Sequence, residues 1–310
     1  MNPRFVVLAF LAVTVCACVS PNLAPHPSTF SPAHHHPASV NAADNLTLRM
    51  LSINLAHGRG DGVHQAFQDE QDARRNLDAV EALIRRQSPD VIGLQEADAP
   101  SKWSGNFDHV EYIAEAAEFK WGMHTAHARG LGLSYGTAVI SRLPIEDHAA
   151  YTFRPAPASL PKGFSLAIVR WPGKGIEIDV VSVHMEPLRE SIRQRQAVEL
   201  VAALADRKRP LVMMGDFNTE WDDDDGVLRK IVDGLNLTAH APLQEDLVTF
   251  PKLDRRLDWI LVSSEFRFVD FDVLDDPVSD HLAIVADLAL TMDGEEGRLA
   301  GSGRHADDGG

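Results

Sequence analysis

Six apolar runs in this chain end or begin on a residue able to bind a metal ion or move a proton. Asn54 follows Ser52-Ile53, and Glu96 follows Val91-Ile92-Gly93-Leu94-Gln95. His184 follows Val181-Ser182-Val183, and Asp216 and Asn218 follow Met213-Met214-Gly215. Asp258 opens Trp259-Ile260-Leu261-Val262, and Asp280-His281 opens Leu282-Ala283-Ile284-Val285. A single polar residue at a strand end is ordinarily a cap or turn residue. Six such ends in order, with these residue types, point to a shared pocket. Strand ends meeting on one side would gather three Asp, one Glu, two Asn and two His.

That set suits phosphoester chemistry. Oxygen-rich sites favour Mg²⁺, Mn²⁺ or Ca²⁺ over zinc, and Mg²⁺ is usually held by one or two carboxylates plus substrate oxygens. A carboxylate can orient and deprotonate a water, while a histidine can stabilise the charge that builds on phosphorus. No Gly-x-Ser-x-Gly elbow offers a serine nucleophile. The two cysteines, Cys16 and Cys18, both lie near the N-terminus, so the body of the chain has neither a disulfide nor a thiolate zinc site.

The elements that would position these groups are legible in the hydrophobic pattern. Leu48–Ile53, Val91–Leu94, Thr137–Ile140, Ala167–Arg170, Ile176–Val183, Leu211–Met214, Leu257–Val262 and Leu282–Leu288 read as strands. Asp69–Gln87, Phe107–Phe119 and Leu188–Ala205 read as helices, the first stopped by Pro89-Asp90. Strands outnumber helices, and the helices fall between strand groups. The pattern predicts two sheets packed face to face with helices outside.

Length and charge narrow the class. The 310 residues carry 45% hydrophobic and 24% charged side chains, enough for a sizeable core. The formal net charge of −16 counts against a protein that grips a long stretch of nucleic acid.

The N-terminus reads as an address. A basic start at Met1–Arg4 and an apolar run at Phe5–Val15 have the layout of a signal peptide, assigned to residues 1–17. Val15-Cys16-Ala17-Cys18 resembles a bacterial lipobox, with Cys18 as the lipidated residue and a plain cleaved signal as the alternative. Residues 18–45, rich in proline, read as a flexible linker, 46–291 as the folded domain and 292–310 as a disordered tail. The expectation is an exported monomer, tethered to a membrane in the periplasm or at the cell surface.

The chain resembles the endonuclease/exonuclease/phosphatase superfamily over about residues 46–290. Gly215-Asp216-Phe217-Asn218, Arg256-Leu257-Asp258-Trp259-Ile260 and Ser279-Asp280-His281 carry the resemblance most strongly. Ile53-Asn54, Leu94-Gln95-Glu96, Val183-His184 and Gly136–Arg142 support it. The resemblance implies an α/β fold, a four-layer α/β/β/α sandwich with two mainly antiparallel sheets. It implies Glu96 as the main metal carboxylate with Asn54 beside it, and Asp280 as a carboxylate either on the metal side or supporting the ligands from behind. Asp216 would activate water, Asn218 would orient phosphate, and His281 would contact the scissile phosphate with Asp258 as its partner. His184 matches a histidine of the nuclease and sphingomyelinase branches.

The loop His57–Gly62 after Asn54 differs from the DNase I sequence, and the stretches Trp103–His109 and His127–Gly130 match no familiar branch. Arg129 is a candidate phosphate ligand, and Trp103 a stacking or packing residue. The expected activity is metal-dependent phosphoester hydrolysis, probing a nucleic acid, a phospholipid headgroup or a small diester as substrate. The alternative is a family member that binds a ligand without turning it over.

Overall fold

The computed structural model describes residues 28–30, 47–60, 62, 69–223 and 226–291. The signal peptide with Cys16 and Cys18, nearly all of the linker and the 292–310 tail lie outside the described residues.

Thirteen strands and four helices are described. The first sheet holds β1 (Ser28–Phe30), β2 (Thr47–Asn54), β3 (Val91–Asp98), β4 (Trp121–Gly130), β5 (Leu133–Ser141), β12 (Phe266–Val273) and β13 (Ile284–Leu290). Its strand order is β1-β4-β5-β3-β2-β13-β12. The second holds β6 (Ile145–Thr152), β7 (Gly163–Trp171), β8 (Ile176–His184), β9 (Leu211–Asp216), β10 (Leu237–Ala239) and β11 (Asp258–Ser263), in the order β10-β11-β9-β8-β7-β6. Both sheets are mainly antiparallel, and each contains one parallel pair, β2 with β3 and β8 with β9. Parallel neighbours need a long crossover. Helix α1 (Glu70–Gln87) supplies the first and α3 (Glu190–Leu204) the second. Helices α2 (His109–Ala116) and α4 (Val227–Leu235) complete the outer layers.

Three apolar clusters build the expected four layers. Met50, Val180, Met214, Ile260 and Ile284 meet between the sheets. Leu77, Ile84, Val110 and Ile113 of α1 and α2 cover the outer face of the first sheet. Leu200 of α3 and Leu228 and Ile231 of α4 cover the second. Central strands are therefore buried on both faces, and simple alternation is lost along them. Toward one end the space between the sheets turns polar. Gln95 Nε2 donates to Ser182 Oγ at 3.0 Å, and Ser165 Oγ donates to Thr125 Oγ1 at 2.9 Å.

The local signals explain the helix ends. Asp69 caps α1 in a capping box with Asp72, and Asp108 accepts from Glu111 N at the start of α2. The sequence pattern departs from the structure in several places: it does not mark β4, β6, β10, β12 or α4. Ser28–Phe30, inside the expected linker, pairs antiparallel with β4. An edge strand offers unpaired backbone groups, and three residues can satisfy them without any apolar periodicity. The last strand begins at Ile284 rather than Leu282, because Leu282 N donates to Thr249 O at 2.8 Å, outside the ladder. Helix α3 buries Arg193, Gln196 and Glu199 as well as its apolar face. Gln196 Oε1 accepts Glu186 N at 2.9 Å, and Glu199 holds Arg154, so a second face of the helix clamps loops.

Gly215, the residue before Asp216, has φ +146, and a Cβ there would lie 2.0 Å from Val183 O. Only glycine lets β9 approach β8 this closely. Gly215→Ala is expected to cost about 2–3 kcal/mol of stability, read from the midpoint of urea unfolding. An unchanged midpoint would show that the strand pair tolerates a side chain there.

Candidate active site

The two parallel pairs end side by side. Asn54 lies opposite Gln95 at the C-terminal end of one, and His184 lies opposite Asp216 at the end of the other. Strand β11 runs back from the same edge, so Asp258 pairs with Asp216. Asn54 Nδ2 then donates to Asp216 Oδ2 at 3.0 Å, which ties the first sheet to the second. Ser279 Oγ donates to Asn54 O at 2.6 Å and brings the segment before β13 over the strand ends.

His281 enters on that segment. Its Nδ1 meets Asp258 Oδ2 at 2.8 Å, and Asp258 Oδ2 also accepts from Thr249 Oγ1 at 2.8 Å. The same threonine oxygen accepts from the backbone N–H groups of Leu257 and Asp258, at 2.9 and 3.0 Å. One hydroxyl therefore sets the carboxylate that sets the imidazole. His281 Nε2 faces Asp216 Oδ2 at 3.8 Å. Facing ligand atoms of Asp216, Asp258 and His281 all lie within 4.8 Å of one another.

Asp216 is buried and accepts on both oxygens. Oδ1 takes the Asn218 backbone N–H at 2.9 Å, and His184 Nε2 stands 3.5 Å from Oδ2. Burial pushes the Asp216 carboxyl up to about 7; Asp258 and Glu96 add to the rise, and His281 and Lys162 oppose it. Burial works against charge on His281, but Asp258 and Asp216 beside it raise the imidazole to about 10. Asn218, at φ +54, is anchored by Nδ2 donating to Met185 O at 3.0 Å. Nδ2 keeps a second proton for another acceptor.

Glu96 sits at a bulge. The register of β3 against β5 shifts between Leu94 and Ala97, and Glu96 takes φ +46. The bulge re-aims its side chain toward the cluster. Four nitrogens surround the carboxylate: His57 Nε2 at 3.2 Å, Lys162 Nζ at 3.6 Å, His184 Nε2 at 3.9 Å and Arg59 NH1 at 4.0 Å. Burial favours the neutral acid, yet His57, Lys162, His184 and Arg59 together hold the Glu96 carboxyl well below the usual carboxylate range. Burial and the nearby Lys162 in turn hold His184 well below the usual histidine range. Lys162 Nζ stands 3.2 and 3.1 Å from the two ring nitrogens of His184.

Seven of the nine residues singled out in the sequence converge here: Asn54, Glu96, His184, Asp216, Asn218, Asp258 and His281. Asp280 is adjacent but engaged differently. Its Oδ2 accepts from Arg59 NH2 at 2.6 Å and Lys252 Nζ at 3.3 Å, so it braces Arg59 instead of presenting an open carboxylate. Arg129 does not take the expected place. It lies on the exposed end of β4 with Nε donating to Ala126 O at 3.3 Å, and the cations beside the cluster are Lys162 and Arg59.

His57, Arg59, Asp98 and Lys162 join the site without having been singled out as site residues. Lys162 lies in an irregular stretch, Pro155 to Lys162, with no pattern to mark it. His57 and Arg59 belong to the loop after Asn54, whose unusual composition was the one available signal. Trp103 proves to be a packing residue: its Nε1 donates to Asp98 Oδ2 at 2.8 Å, and its ring lies 4.7 Å from His57.

The donor set fits a divalent cation. Glu96 is a charged, partly buried carboxylate at the convergence of the strands, and Asn54 Oδ1, which accepts Ala56 N at 3.0 Å, keeps a second lone pair.

Comparison with known proteins agrees with this architecture. Among solved structures, an endonuclease/exonuclease/phosphatase from Beutenbergia cavernae DSM 12333 superposes with a TM-score of 0.64 at 22% identity, covering 79% of this chain and 72% of its own. A mannosyl-6-phosphatase from Bacteroides thetaiotaomicron VPI-5482 gives 0.60 at 18% identity, covering 78% and 100%. Sphingomyelinase C from Streptomyces griseocarneus gives 0.57 at 16% identity, covering 78% and 99%. At these identities the likeness shows a shared fold. No curated protein matches in sequence. The model of the Endonuclease/Exonuclease/phosphatase family matches residues 51–281, and on that span the chain belongs to this family.

Proposed function

We propose that the protein is a divalent-metal-dependent phosphoester hydrolase that attacks its substrate with water. The observation that carries this reading is the convergence of Asn54, Glu96, His184, Asp216 and the Asp258–His281 pair on one edge of the two sheets, where two unlike carboxyls meet. Glu96 is held ionised among four nitrogens, while Asp216 is pushed up to about 7. Environments that separate two carboxyls in this way assign them different jobs.

Glu96 and Asn54 would hold the cation. When bound, the ion would neutralise charge on the phosphate oxygens and polarise the phosphorus centre. Asp216 Oδ2 orients the attacking water and accepts its proton. His281 stays protonated, because Asp258 accepts from its Nδ1 at 2.8 Å, and its Nε2–H meets the negative charge that grows on the phosphate. Asn218 directs the remaining proton of Nδ2 toward a phosphate oxygen. Lys162 adds a fixed positive charge on the opposite side of Glu96 from His57. The phosphatase and sphingomyelinase names among the structural neighbours support phosphoester hydrolysis. The net charge of −16 favours a small phosphoester or a lipid headgroup over a long nucleic acid. The leader at residues 1–17 and Cys18 direct the enzyme to a membrane as an exported lipoprotein.

Three outcomes test this reading. Chelation by EDTA is expected to abolish hydrolysis of bis-p-nitrophenyl phosphate, and Mg²⁺ or Mn²⁺ to restore it; full turnover in chelator would refute metal dependence. Asp216→Asn and His281→Gln are each expected to lower the rate by about 10²-fold or more. A near-native rate in either variant, with folding checked by circular dichroism, removes that residue from the chemistry. Cys18→Ser is expected to move the protein from the membrane fraction to the soluble fraction, and continued pelleting would overturn the lipid anchor.

A further inference from the structure

Exposed leucines gather at the end of the sandwich that carries the site. Among the described residues seven large apolar side chains are exposed, and five of them are Leu131, Leu160, Leu188, Leu243 and Leu253, between 42% and 81% exposed. The strand registers place their loops. Leu131 tips the β4–β5 hairpin, just beyond the pairing of Asp98 with Tyr135. Leu160 and Leu188 lie in the segments that lead into Gly163 and out of His184, and those two residues pair with one another. Leu243 and Leu253 belong to the excursion from the end of β10 to Asp258, which pairs with Asp216. The other two, Val198 and Val269, sit midway along α3 and β12. Apolar residues scattered singly over a surface need no explanation, but a set gathered around one pocket marks an interaction face.

At the hairpin tip neither burial nor backbone geometry favours leucine. Leu131 and Gly132 take φ +53 and +82, as in the two-residue turn that prefers Asn-Gly. A bulky residue is strained there, and at 81% exposure packing does not hold it. Basic residues stand at three of the tips. Arg129 precedes Leu131, and Lys102 lies against Gly132; Arg189 follows Leu188, and Lys252 precedes Leu253. Acidic residues follow at Glu190, Asp254 and Glu245-Asp246, so the charge is mixed and the leucines are the common element. Tips on separate loops around one site admit only a partner that covers it. A folded protein seated there would close the site, whereas a phospholipid surface takes leucines into its acyl boundary and presents phosphate to the pocket. The chain also enters from this direction. Ser28 lies opposite His124 and Phe30 opposite Gly122, so Ser28 is the end of β1 nearer the site. The ten residues from Cys18 to Ser28 reach at most about 35 Å. The stretch of β4 from His124 to Gly130 covers about 20 Å. A lipid on Cys18 therefore reaches the leucine-bearing end.

We propose that the site-bearing end of the sandwich is a docking face for a phospholipid surface, seated by Leu131, Leu160, Leu188, Leu243 and Leu253. The choice of a phospholipid surface over a protein rests on the hydrolase reading above, and the reach of the tether on the lipid-anchor reading; the apolar face itself rests on neither. Docking of this kind is reversible. It needs excess lipid and does not by itself retain the chain in a membrane fraction.

The test is cosedimentation of the full chain, carrying Cys18→Ser so that no anchor contributes, with excess vesicles of equal parts phosphatidylcholine and phosphatidylglycerol. This parent chain is expected to pellet with the vesicles. Adding Leu131→Ser and Leu188→Ser together is expected to weaken binding by about 10-fold or more, the scale of one leucine withdrawn from hydrocarbon. The urea midpoint and the turnover of bis-p-nitrophenyl phosphate are expected to stay unchanged. Leu243→Ser with Leu253→Ser provides an independent pair should the first not fold. Val198→Ser with Val269→Ser is expected to bind as the parent does. The docking face is overturned if the parent stays in the supernatant, if neither leucine pair weakens binding, or if the valine pair weakens it as much. A dimer in analytical sedimentation that the Leu131/Leu188 pair abolishes, without vesicle binding, gives the face to a second copy and also overturns it. Leucine-dependent vesicle binding without any metal-dependent turnover of the diester confirms the docking face and removes the hydrolase reading instead.

Discussion

Everything chemical in this molecule depends on where two parallel strand pairs stop. Parallel strands share a direction, so their C-terminal ends lie along one edge, and open α/β sheets present their ligand sites there. The pairing of β2 with β3 ends on Asn54 and Gln95, with Glu96 next along β3, and β8 and β9 end on His184 and Asp216. Neither pair alone makes a site. Packing the sheets face to face sets Asn54 against Asp216, and the 3.0 Å hydrogen bond between them joins the two halves. Strand β11 then starts where β9 finishes, so Asp258 arrives beside Asp216 without any further device.

Charge at this edge is balanced within the pocket. Uncompensated buried charge is strongly destabilising, so buried ionised groups come with partners. Here the partners are unevenly shared. Nitrogen crowds around Glu96, through His57, Arg59, Lys162 and His184, while Asp216 shares its surroundings with Asp258 and Glu96. The uneven distribution lets one pocket hold a carboxylate kept charged beside one that takes up a proton near neutral pH. His281 bridges the two regimes, because Asp258 and Asp216 both favour its protonated form.

Four of the twelve non-glycine residues with positive φ among the described residues lie at this place. Ala56, His57, Glu96 and Asn218 all adopt positive φ, and Gly215 takes a φ that brings β9 close to β8. Each of these positions aims or supports a polar group of the cluster. The surrounding core is densely apolar on three levels, and such a frame can hold a few residues in poorly populated conformations. Rigidity of the sandwich and unusual geometry at its edge are therefore two aspects of one design.

Local order in the chain by itself determined the class of fold, three of the four helices and the central strands. These follow from periods of two and 3.6, from Asp69 and Asp108 as caps, and from Pro89 as a stop, all of which act over a few residues. The same short-range pattern marked seven of the polar residues that meet, because each lies at or near the end of an apolar run. Short-range pattern did not mark Lys162, which stands in irregular chain, or Asp98, which sits behind the bulge at Glu96. It did not reveal that β1 pairs with the edge of β4, since backbone hydrogen bonds carry no side-chain signature. Only the tertiary structure decided that Asp280 grips Arg59, that Arg129 stays on the exterior and that His57 points at Glu96. Those outcomes depend on distances between residues far apart in sequence, and such distances exist only once the two sheets have closed on one another.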